Sequence, residues 1–158
     1  MDLILWRHAE AFDAVEGQDD LERALTPKGE RQAARMAQWL NQALPATTRV
    51  LVSPARRAQQ TVQPLERRFK TVPAVAPGGT VEALLAAARW PESREPVLVV
   101  GHQPTLGLAA AYLLAGVALS AEEPWRIKKG GLWWLRHQAR EDAPARLTLV
   151  TVRSPDLL

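Results

Sequence analysis

The sequence predicts an α/β fold, a three-layer α/β/α sandwich built on a mostly parallel central sheet. Three short runs of the chain are continuously apolar, which is typical of strands that are buried on both faces. A helical pattern follows each of them, and this alternation predicts parallel strands joined by right-handed crossovers. The length of 158 residues fits one domain with a sizeable core, so we expect a single domain over residues 1–158.

The first strand is predicted at Leu3–Trp6, which is a run of four apolar residues. A long polar stretch, residues 10–24, separates it from the first helix. That helix opens with Thr26, which suits the N-cap, and Pro27, which suits the first helical position. Apolar residues at helical spacing over residues 33–44 form its buried face.

The second strand is predicted at Val50–Val52. The pair Ser53-Pro54 is expected to open a second helix in the same way as Thr26 and Pro27, with Ser53 as a cap. Apolar residues from Ala58 to Phe69 are expected to line the inner face of this helix. A weaker apolar run at Thr71–Val75 predicts a further strand.

The remaining sequence predicts two more helices and three more strands. The helices are Val81–Trp90, after a Pro-Gly-Gly turn signal, and Pro104–Ala115, and the strands are Val97–Val100, Leu132–Leu135 and Leu147–Val150. The last two strands are expected to form a hairpin with a polar loop around residues 140–145. Trp133 and Trp134 must point to opposite faces of their strand, so we expect one ring in the core and the other exposed or at an edge. His137 is expected to be exposed and inert.

Composition and charge exclude several classes of protein. The chain has no cysteine, which excludes a disulfide framework and a thiolate metal site. The formal net charge is only +3, and basic residues do not interleave with aromatic ones, so we expect no nucleic-acid partner. The sequence shows neither a signal peptide nor an apolar run of membrane-spanning length, so we expect a cytoplasmic protein without a membrane partner.

Polar side chains follow all three strong strands, at the point where each strand ends. Arg7 and His8 follow the first strand, Ser53 and Arg57 the second, and His102 the third. In open α/β sheets, ligands bind outside the carboxyl ends of the strands. We therefore expect these side chains to form one site.

Two guanidinium groups beside two imidazoles predict a site for an oxyanion, and phosphate fits best. Arginine pairs with phosphate oxygens through two parallel hydrogen bonds, and the helix N-termini after Ser53 and His102 add backbone donors. A zinc site is disfavoured, because catalytic zinc usually takes three protein ligands and the arginines would repel a cation. A neutral imidazole is then the obvious nucleophile, since nearby positive charge keeps it unprotonated. The alternatives are structural: an ion pair of Arg7 and Arg57 with the acidic loop at Glu16–Glu22, and histidines bonded to backbone or to a helix end.

Helical geometry distinguishes Arg57 from its neighbour Arg56. Successive residues of an α-helix are rotated by roughly 100°. With the inner face centred near Ala58 and Leu65, Arg57 lies roughly 95° from the centre of that face and Arg56 roughly 165°. We therefore expect Arg57 to reach inward as the phosphate ligand and Arg56 to face water.

Four short motifs occur in a fixed order along the chain. They are Arg7-His8-Ala9 after the first strand; Leu25-Thr26-x-x-Gly29-x-x-Gln32-Ala33; Ser53-Pro54-x-x-Arg57-Ala58-x-Gln60-Thr61; and Gly101-His102 followed by Pro104. Each motif alone is weakly specific, but the ordered set resembles the histidine phosphatase superfamily, in particular the small SixA-type phosphohistidine phosphatases. The resemblance implies a phosphoglycerate mutase-like fold without a cap domain.

The resemblance also implies a role for each residue of the predicted site. His8 would attack phosphorus as the catalytic nucleophile and become transiently phosphorylated. Arg7, Arg57 and His102 would hold the phosphoryl oxygens and stabilise the charge of the transition state. Water would then release phosphate, and neither a metal nor another cofactor would be needed.

The chain departs from the family pattern at two positions. Ala9 stands where the family has glycine, and Gln103 stands where one branch has the acid that protonates the leaving group. The remaining candidates for a general acid are Glu10, Asp13 and Glu82, and for each of them the alternative is a solvated position without a chemical role.

The missing acid bears on the substrate. A phosphatase for alcohol esters needs a general acid, whereas phosphohistidine needs one less because a protonated imidazole leaves readily. The missing acid, together with a chain too short for a cap domain, favours an open site for a phosphohistidine that is borne by a phosphocarrier or phosphotransfer protein. Two alternatives stay open: a phosphatase for small phosphate esters or anhydrides, and a non-catalytic module that binds phosphate or a phosphoprotein.

Overall fold

The fold is built around one six-stranded sheet, as seen in a computed structural model that describes residues 1–119 and 125–158. The strands are β1 (Asp2–Arg7), β2 (Arg49–Val52), β3 (Lys70–Thr71), β4 (Val97–Gly101), β5 (Leu132–Gln138) and β6 (Arg146–Arg153). Their order across the sheet is β3-β2-β4-β1-β5-β6. The pairs among β1 to β4 are parallel, and β5 and β6 add an antiparallel edge. The sheet is therefore mostly parallel, as predicted.

Helices cover both faces of this sheet. The described α-helices are α1 (Pro27–Ala43), α2 (Arg56–Val62), α3 (Val81–Ala88) and α4 (Thr105–Ala115). Because successive residues of a strand point to opposite faces, β1 sends Ile4 and Trp6 into a core shared with α1 and α2, and Leu3 and Leu5 into a core shared with α3 and α4. This is the predicted three-layer sandwich, and no cap domain is evident in the described residues.

The first helix begins as predicted and is fixed against the segment that follows His8. The Thr26 hydroxyl accepts the Gly29 N–H at 3.0 Å, and Pro27 occupies the first helical position. The Thr26 N–H donates to the Glu10 carbonyl at 3.0 Å. A Cβ atom at Gly29 would collide with that same carbonyl oxygen, so only glycine allows this close approach.

The second helix is shorter than predicted at both ends. It begins at Arg56, and its N-cap residue Ala55 makes no side-chain cap, so the expectation that Ser53 opens the helix was wrong. It ends at Val62, because Pro64 cannot donate to the carbonyl four residues earlier and turns the chain into a short 3-10 helix. Phe69, expected on the inner face, therefore lies beyond the helix and is exposed.

The prediction of a strand over Thr71–Val75 is also largely wrong. Only Lys70–Thr71 pairs with the sheet, as the edge strand β3. Pro73 has no N–H to donate to a strand ladder, and residues Pro73–Val75 form a 3-10 helix whose Val75 packs into the core.

The C-terminal hairpin is confirmed, with β5 and β6 paired in antiparallel register. Trp134 is buried in the core, and Trp133, on the other face, is half-buried against Trp125. His137 is half-buried rather than exposed, because its ring packs edge-on against Trp90 at 5.5 Å between centroids.

Among the described residues, no helix combines the length and the apolar character that a membrane crossing requires.

Candidate active site

The carboxyl ends of β1, β2 and β4 lie side by side and bring the predicted site residues together. Arg7, the last residue of β1, is in register with Gly101, the last residue of β4. The His8 N–H donates to the Gly101 carbonyl at 3.1 Å, and the Ser53 N–H donates to the Val100 carbonyl at 3.0 Å. The side chains that follow the three strands therefore lie together at the carboxyl ends of these strands.

One ring nitrogen of His8 makes a hydrogen bond, and the other makes none in the described residues. The ring is buried, and its Nδ1 lies 2.7 Å from the Ala9 carbonyl oxygen. Because a carbonyl can only accept, Nδ1 carries the proton and Nε2 carries the lone pair. Burial, and then the charges of Arg57 and Arg7, lower the pKa of His8 to about 4, against an opposing effect of the Ala9 hydrogen bond. The ring is therefore neutral at neutral pH and has the form that a nucleophile needs.

His102 lies next to His8 and is oriented by Ser53. The two imidazole centroids are 5.1 Å apart, and His102 Nε2 lies 2.7 Å from the Ser53 hydroxyl oxygen. That oxygen also accepts the Ala55 N–H at 3.1 Å. When the Ser53 hydroxyl donates its own proton to Nε2, the proton of the His102 ring resides on Nδ1. Burial, the neighbouring His8 and Arg57 lower the pKa of His102 to about 3.

Arg7 and Arg57 each keep a buried Nε–H group that makes no hydrogen bond in the described chain. Arg7 donates from Nη1 to the Ile127 carbonyl at 2.8 Å, and Arg57 donates from its two Nη atoms to Asp20 at 2.7 and 3.0 Å. The Nε atoms of both arginines and Nδ1 of His102 are buried and have no hydrogen-bond partner in the described residues. Buried polar groups nearly always have a partner. The charges of Arg57 and Arg7 act on His8, and the His102 ring lies next to it. These unpaired groups are therefore suited to hold the oxygens of an anion beside His8.

Asp20 explains how Arg57 is held, and it was not singled out from the sequence. Its carboxylate accepts from Arg57 Nη2 at 3.0 Å and from Arg23 Nε at 2.9 Å, and these contacts, first that of Arg23, lower the Asp20 pKa. The ion pair with the loop at Glu16–Glu22, which was the structural alternative for Arg57, is therefore present and uses its Nη groups. The Nε group stays unpaired, so this ion pair does not exclude a role for Arg57 in binding phosphate.

Arg56 and Arg57 point in the predicted directions. Arg57 is 3% exposed, whereas Arg56 is exposed to solvent. The buried face of α2 contains Arg57, Ala58 and Thr61. The role of Arg57 as a phosphate ligand stays a prediction, but its orientation permits that role and the orientation of Arg56 does not.

Three motif residues brace the segment that carries His8. The Thr61 hydroxyl accepts the Ala9 N–H at 3.0 Å and donates to the Arg57 carbonyl at 2.7 Å, which ties the nucleophile segment to α2. The Gln32 side chain accepts the N–H of Glu10. The Gln60 side chain accepts the N–H of Leu25, which pairs with Ala11 on the same segment. Ala9 does not have a positive φ, so alanine is compatible with the backbone at the family's glycine position.

The three candidates for a general acid make no hydrogen bond to the residues of the predicted site in the described chain. The Glu10 carboxylate accepts the Thr26 hydroxyl at 2.7 Å, and Asp13 and Glu82 are exposed. Gln103 donates to the Trp125 carbonyl. A general acid among the three stays a prediction.

Acidic, histidine and cysteine side chains do not cluster in the described ranges 1–119 and 125–158: no three of them lie close enough to hold a metal ion. The positive charge that acts on His8 comes from the guanidinium groups of Arg57, Arg7 and Arg23.

Comparison with known proteins agrees with the motifs and with the geometry. Residues 3–78 match the model of the histidine phosphatase superfamily (branch 1). The phosphohistidine phosphatase SixA of Escherichia coli is 33% identical over 73% of this chain and 76% of its own length. The SixA homolog of Haemophilus influenzae is 32% identical over 72% of this chain and 77% of its own length.

A solved structure of the protein histidine phosphatase SixA, complexed with tungstate, superimposes with a TM-score of 0.75 at 28% identity. The match covers 99% of this chain and 98% of the other. The chain belongs to the histidine phosphatase superfamily, and its relatives place it among the SixA-like phosphatases.

Proposed function

We propose that this protein is a phosphohistidine phosphatase that hydrolyses a protein-borne phosphohistidine through a covalent phospho-His8 intermediate. The observation that carries the proposal is that buried polar atoms of Arg7, Arg57 and His102, which lie with His8 at the carboxyl ends of the strands, have no hydrogen-bond partner in the described residues, and that Nε2 of His8 has none there either. A phosphoryl group has three oxygens in need of such donors while it is transferred between two nitrogen atoms.

The first step exchanges one P–N bond for another. Nε2 of His8 attacks phosphorus, the bond between phosphorus and the substrate imidazole breaks, and that imidazole leaves as a neutral ring when its other nitrogen carries a proton. The unpaired donors of Arg7, Arg57 and His102 stabilise the charge on the phosphoryl oxygens. In the second step a water molecule attacks the phosphorus of phospho-His8, which yields phosphate and restores the neutral ring.

Two features favour an imidazole over an alkoxide as the leaving group. The carboxylates of Glu10, Asp13 and Glu82 make no hydrogen bond to the site residues in the described part of the chain, which favours a leaving group that needs no general acid. The described fold also lacks a cap domain, which leaves the site open toward a macromolecular substrate. The relatives named SixA, and the tungstate complex of one of them, support an oxyanion-binding phosphohistidine phosphatase.

A substrate panel tests the proposal. The wild type is assayed with a phosphotransfer domain carrying phosphohistidine, a sugar phosphate and an aryl phosphate, in the presence of a metal chelator. His8→Ala serves as the blank. We expect the phosphohistidine domain to give the highest kcat/KM, with no loss in chelator. A preference for either ester, or activity that the chelator abolishes and one added metal restores, would contradict the proposal.

A further inference from the structure

One loop forms the wall of the pocket on the Arg57 side, and we call residues 12–22 the site loop. All of its residues are exposed. Its base is closed by the Phe12 N–H, which donates to the Ala24 carbonyl at 2.9 Å, and near its other end Asp20 accepts from Arg57. It begins four residues after His8. Compact exposed loops with closed bases are frequently functional.

The site loop exposes more apolar surface than a solvated loop needs. Phe12 is 54% exposed, Val15 64% and Leu21 38%. Single exposed apolar side chains are normal on a protein surface, but several together beside a binding pocket indicate contact with another macromolecule.

The charge of the site loop is opposite to that of the pocket beside it. The loop contains no lysine or arginine, and its carboxylates are Asp13, Glu16, Asp19, Asp20 and Glu22. Arg57 and Arg23 pair with Asp20, and the other carboxylates of the loop are exposed. A small anionic substrate is repelled on this side, whereas a protein that carries lysine or arginine next to its phosphoryl group is attracted.

The wall on the Arg7 side has the opposite charge. Arg7 donates to the Ile127 carbonyl, and Arg126, Lys128 and Lys129 around it are exposed. The charge of Arg126 contributes, after burial, to lowering the Arg7 pKa. A rim that is acidic on one side and basic on the other favours one orientation of a docked protein.

Resting on the proposed function, we infer that the site loop is the docking surface for the phosphohistidine-bearing protein. The partner that fits it presents an apolar patch and basic residues on one side of its phosphohistidine. The loop thereby selects the protein that carries the phosphoryl group, while His8 and its donors select the phosphoryl group itself.

The experiment compares two substrates that share the same scissile bond. One is free phosphohistidine, and the other is an isolated phosphotransfer domain, chosen for lysine and arginine around its histidine and phosphorylated with phosphoramidate. Two site-loop variants are made, Phe12→Ser with Val15→Ser and Glu16→Lys with Glu22→Lys. The matched controls are Leu157→Ser, at an apolar residue that is 79% exposed, and Glu141→Lys with Asp142→Lys, at exposed acids of the β5–β6 loop.

We expect each site-loop variant to lower kcat/KM for the phosphorylated domain by about tenfold or more, mainly through KM. Turnover of free phosphohistidine and both control variants should stay at the wild-type level, which also shows that the variants fold. If the site-loop variants match the controls on the domain, or lose both substrates equally, the docking surface is wrong while the proposed function stands. If the wild type hydrolyses free phosphohistidine but not the phosphorylated domain, the proposed function and the docking surface both fail.

Discussion

The arginines of the predicted catalytic pocket and those of a second groove differ in whether they are available to an anion. The predicted pocket lies at the carboxyl ends of β1, β2 and β4. The second groove, which we call the far groove, lies where β2 and β3 begin, at the opposite edge of the sheet. It has a volume of about 770 Å³, and its lining includes Arg49, Arg67, Arg68 and Lys70 beside the apolar side chains of Val50, Leu51 and Phe69.

The difference lies in what the guanidinium groups already bind. In the far groove, Arg67 donates to the Asn41 side chain and to the carbonyls of Leu44 and Pro45, at the end of α1. Arg49 donates to carbonyls at the end of α3. These arginines cap helices. In the pocket, by contrast, Arg7 and Arg57 keep buried Nε groups without a partner in the described residues. Unused donors that are buried, and not the number of positive charges, distinguish the predicted anion site, since Arg68 and Lys70 of the far groove are exposed to water.

The largest effect is expected from Arg57, with Arg56 as its matched control. Losing a charge-assisted contact to the transition state in Arg57→Ala should cost about 3 kcal/mol, or about a hundredfold in kcat/KM. Arg56→Ala should change the free energy of unfolding by no more than about 0.5 kcal/mol and leave kcat/KM near wild type. Steady-state kinetics with a thermal melt of each variant make the comparison. Equal losses in activity would show that both arginines contact substrate.

The second prediction concerns pH, because burial, and then the neighbouring charges, keep the imidazoles of the pocket neutral. The pKa of His8 is about 4 in the native chain, against about 6.5 when unfolded. Between these values the unfolded chain binds more protons than the native one, so the free energy of unfolding falls as the pH falls through this window. For His8 alone the loss corresponds to about 3 kcal/mol.

Urea unfolding at several pH values between 7 and 4.5 measures that loss. His8→Asn should show a flatter dependence than the wild type, because the substituted side chain does not titrate. Parallel curves for the two proteins would mean that burial and the arginines do not depress the His8 pKa.

The third prediction tests whether an arginine of the far groove stabilises the fold without binding an anion. Arg67→Ala removes hydrogen bonds to the end of α1 and should lower the free energy of unfolding by about 1–2 kcal/mol. It should leave kcat/KM and inhibition by phosphate unchanged. Urea unfolding and inhibition constants test both halves of this prediction, and a change in phosphate inhibition would make the far groove an anion site after all.

The smallest effect is expected from Ser53, which orients His102 so that Nδ1 remains unpaired. Ser53→Ala should lower kcat/KM by about tenfold, because the His102 ring loses its fixed orientation. Thr26→Ala is the control at a true helix cap, and it should lower stability by about 1 kcal/mol with activity retained. If Ser53→Ala has full activity, then His102 does not depend on the hydroxyl for its position.

The sequence was sufficient to predict where the pocket lies, because the topology of a parallel sheet brings strand ends together. Arg7 ends a strand, His8 and His102 each follow one directly, and the rotation of the helix separates Arg57 from Arg56. None of these inferences needs a side-chain contact.

What the sequence left undetermined depends on contacts between distant residues. The Ser53-Pro54 pair predicts a helix cap, because Ser suits the N-cap and Pro the first helical position. The Ser53 hydroxyl instead contacts His102, 49 positions away. Asp20 lies 37 positions from Arg57, and nothing in the acidic stretch distinguishes it from its neighbours. The early end of α2 follows from Pro64, whose effect could have been predicted, and it displaces Phe69 from the core.

Rapid quenching with a labelled substrate tests directly whether Nε2 of His8 receives the phosphoryl group. A phosphotransfer domain carrying ³²P on its histidine is mixed with the enzyme, and the reaction is stopped within milliseconds. The account predicts a labelled enzyme whose label is stable in alkali, is lost in acid, maps to His8 and is absent in His8→Ala. Label that persists in His8→Ala, or that maps to another residue, would contradict it.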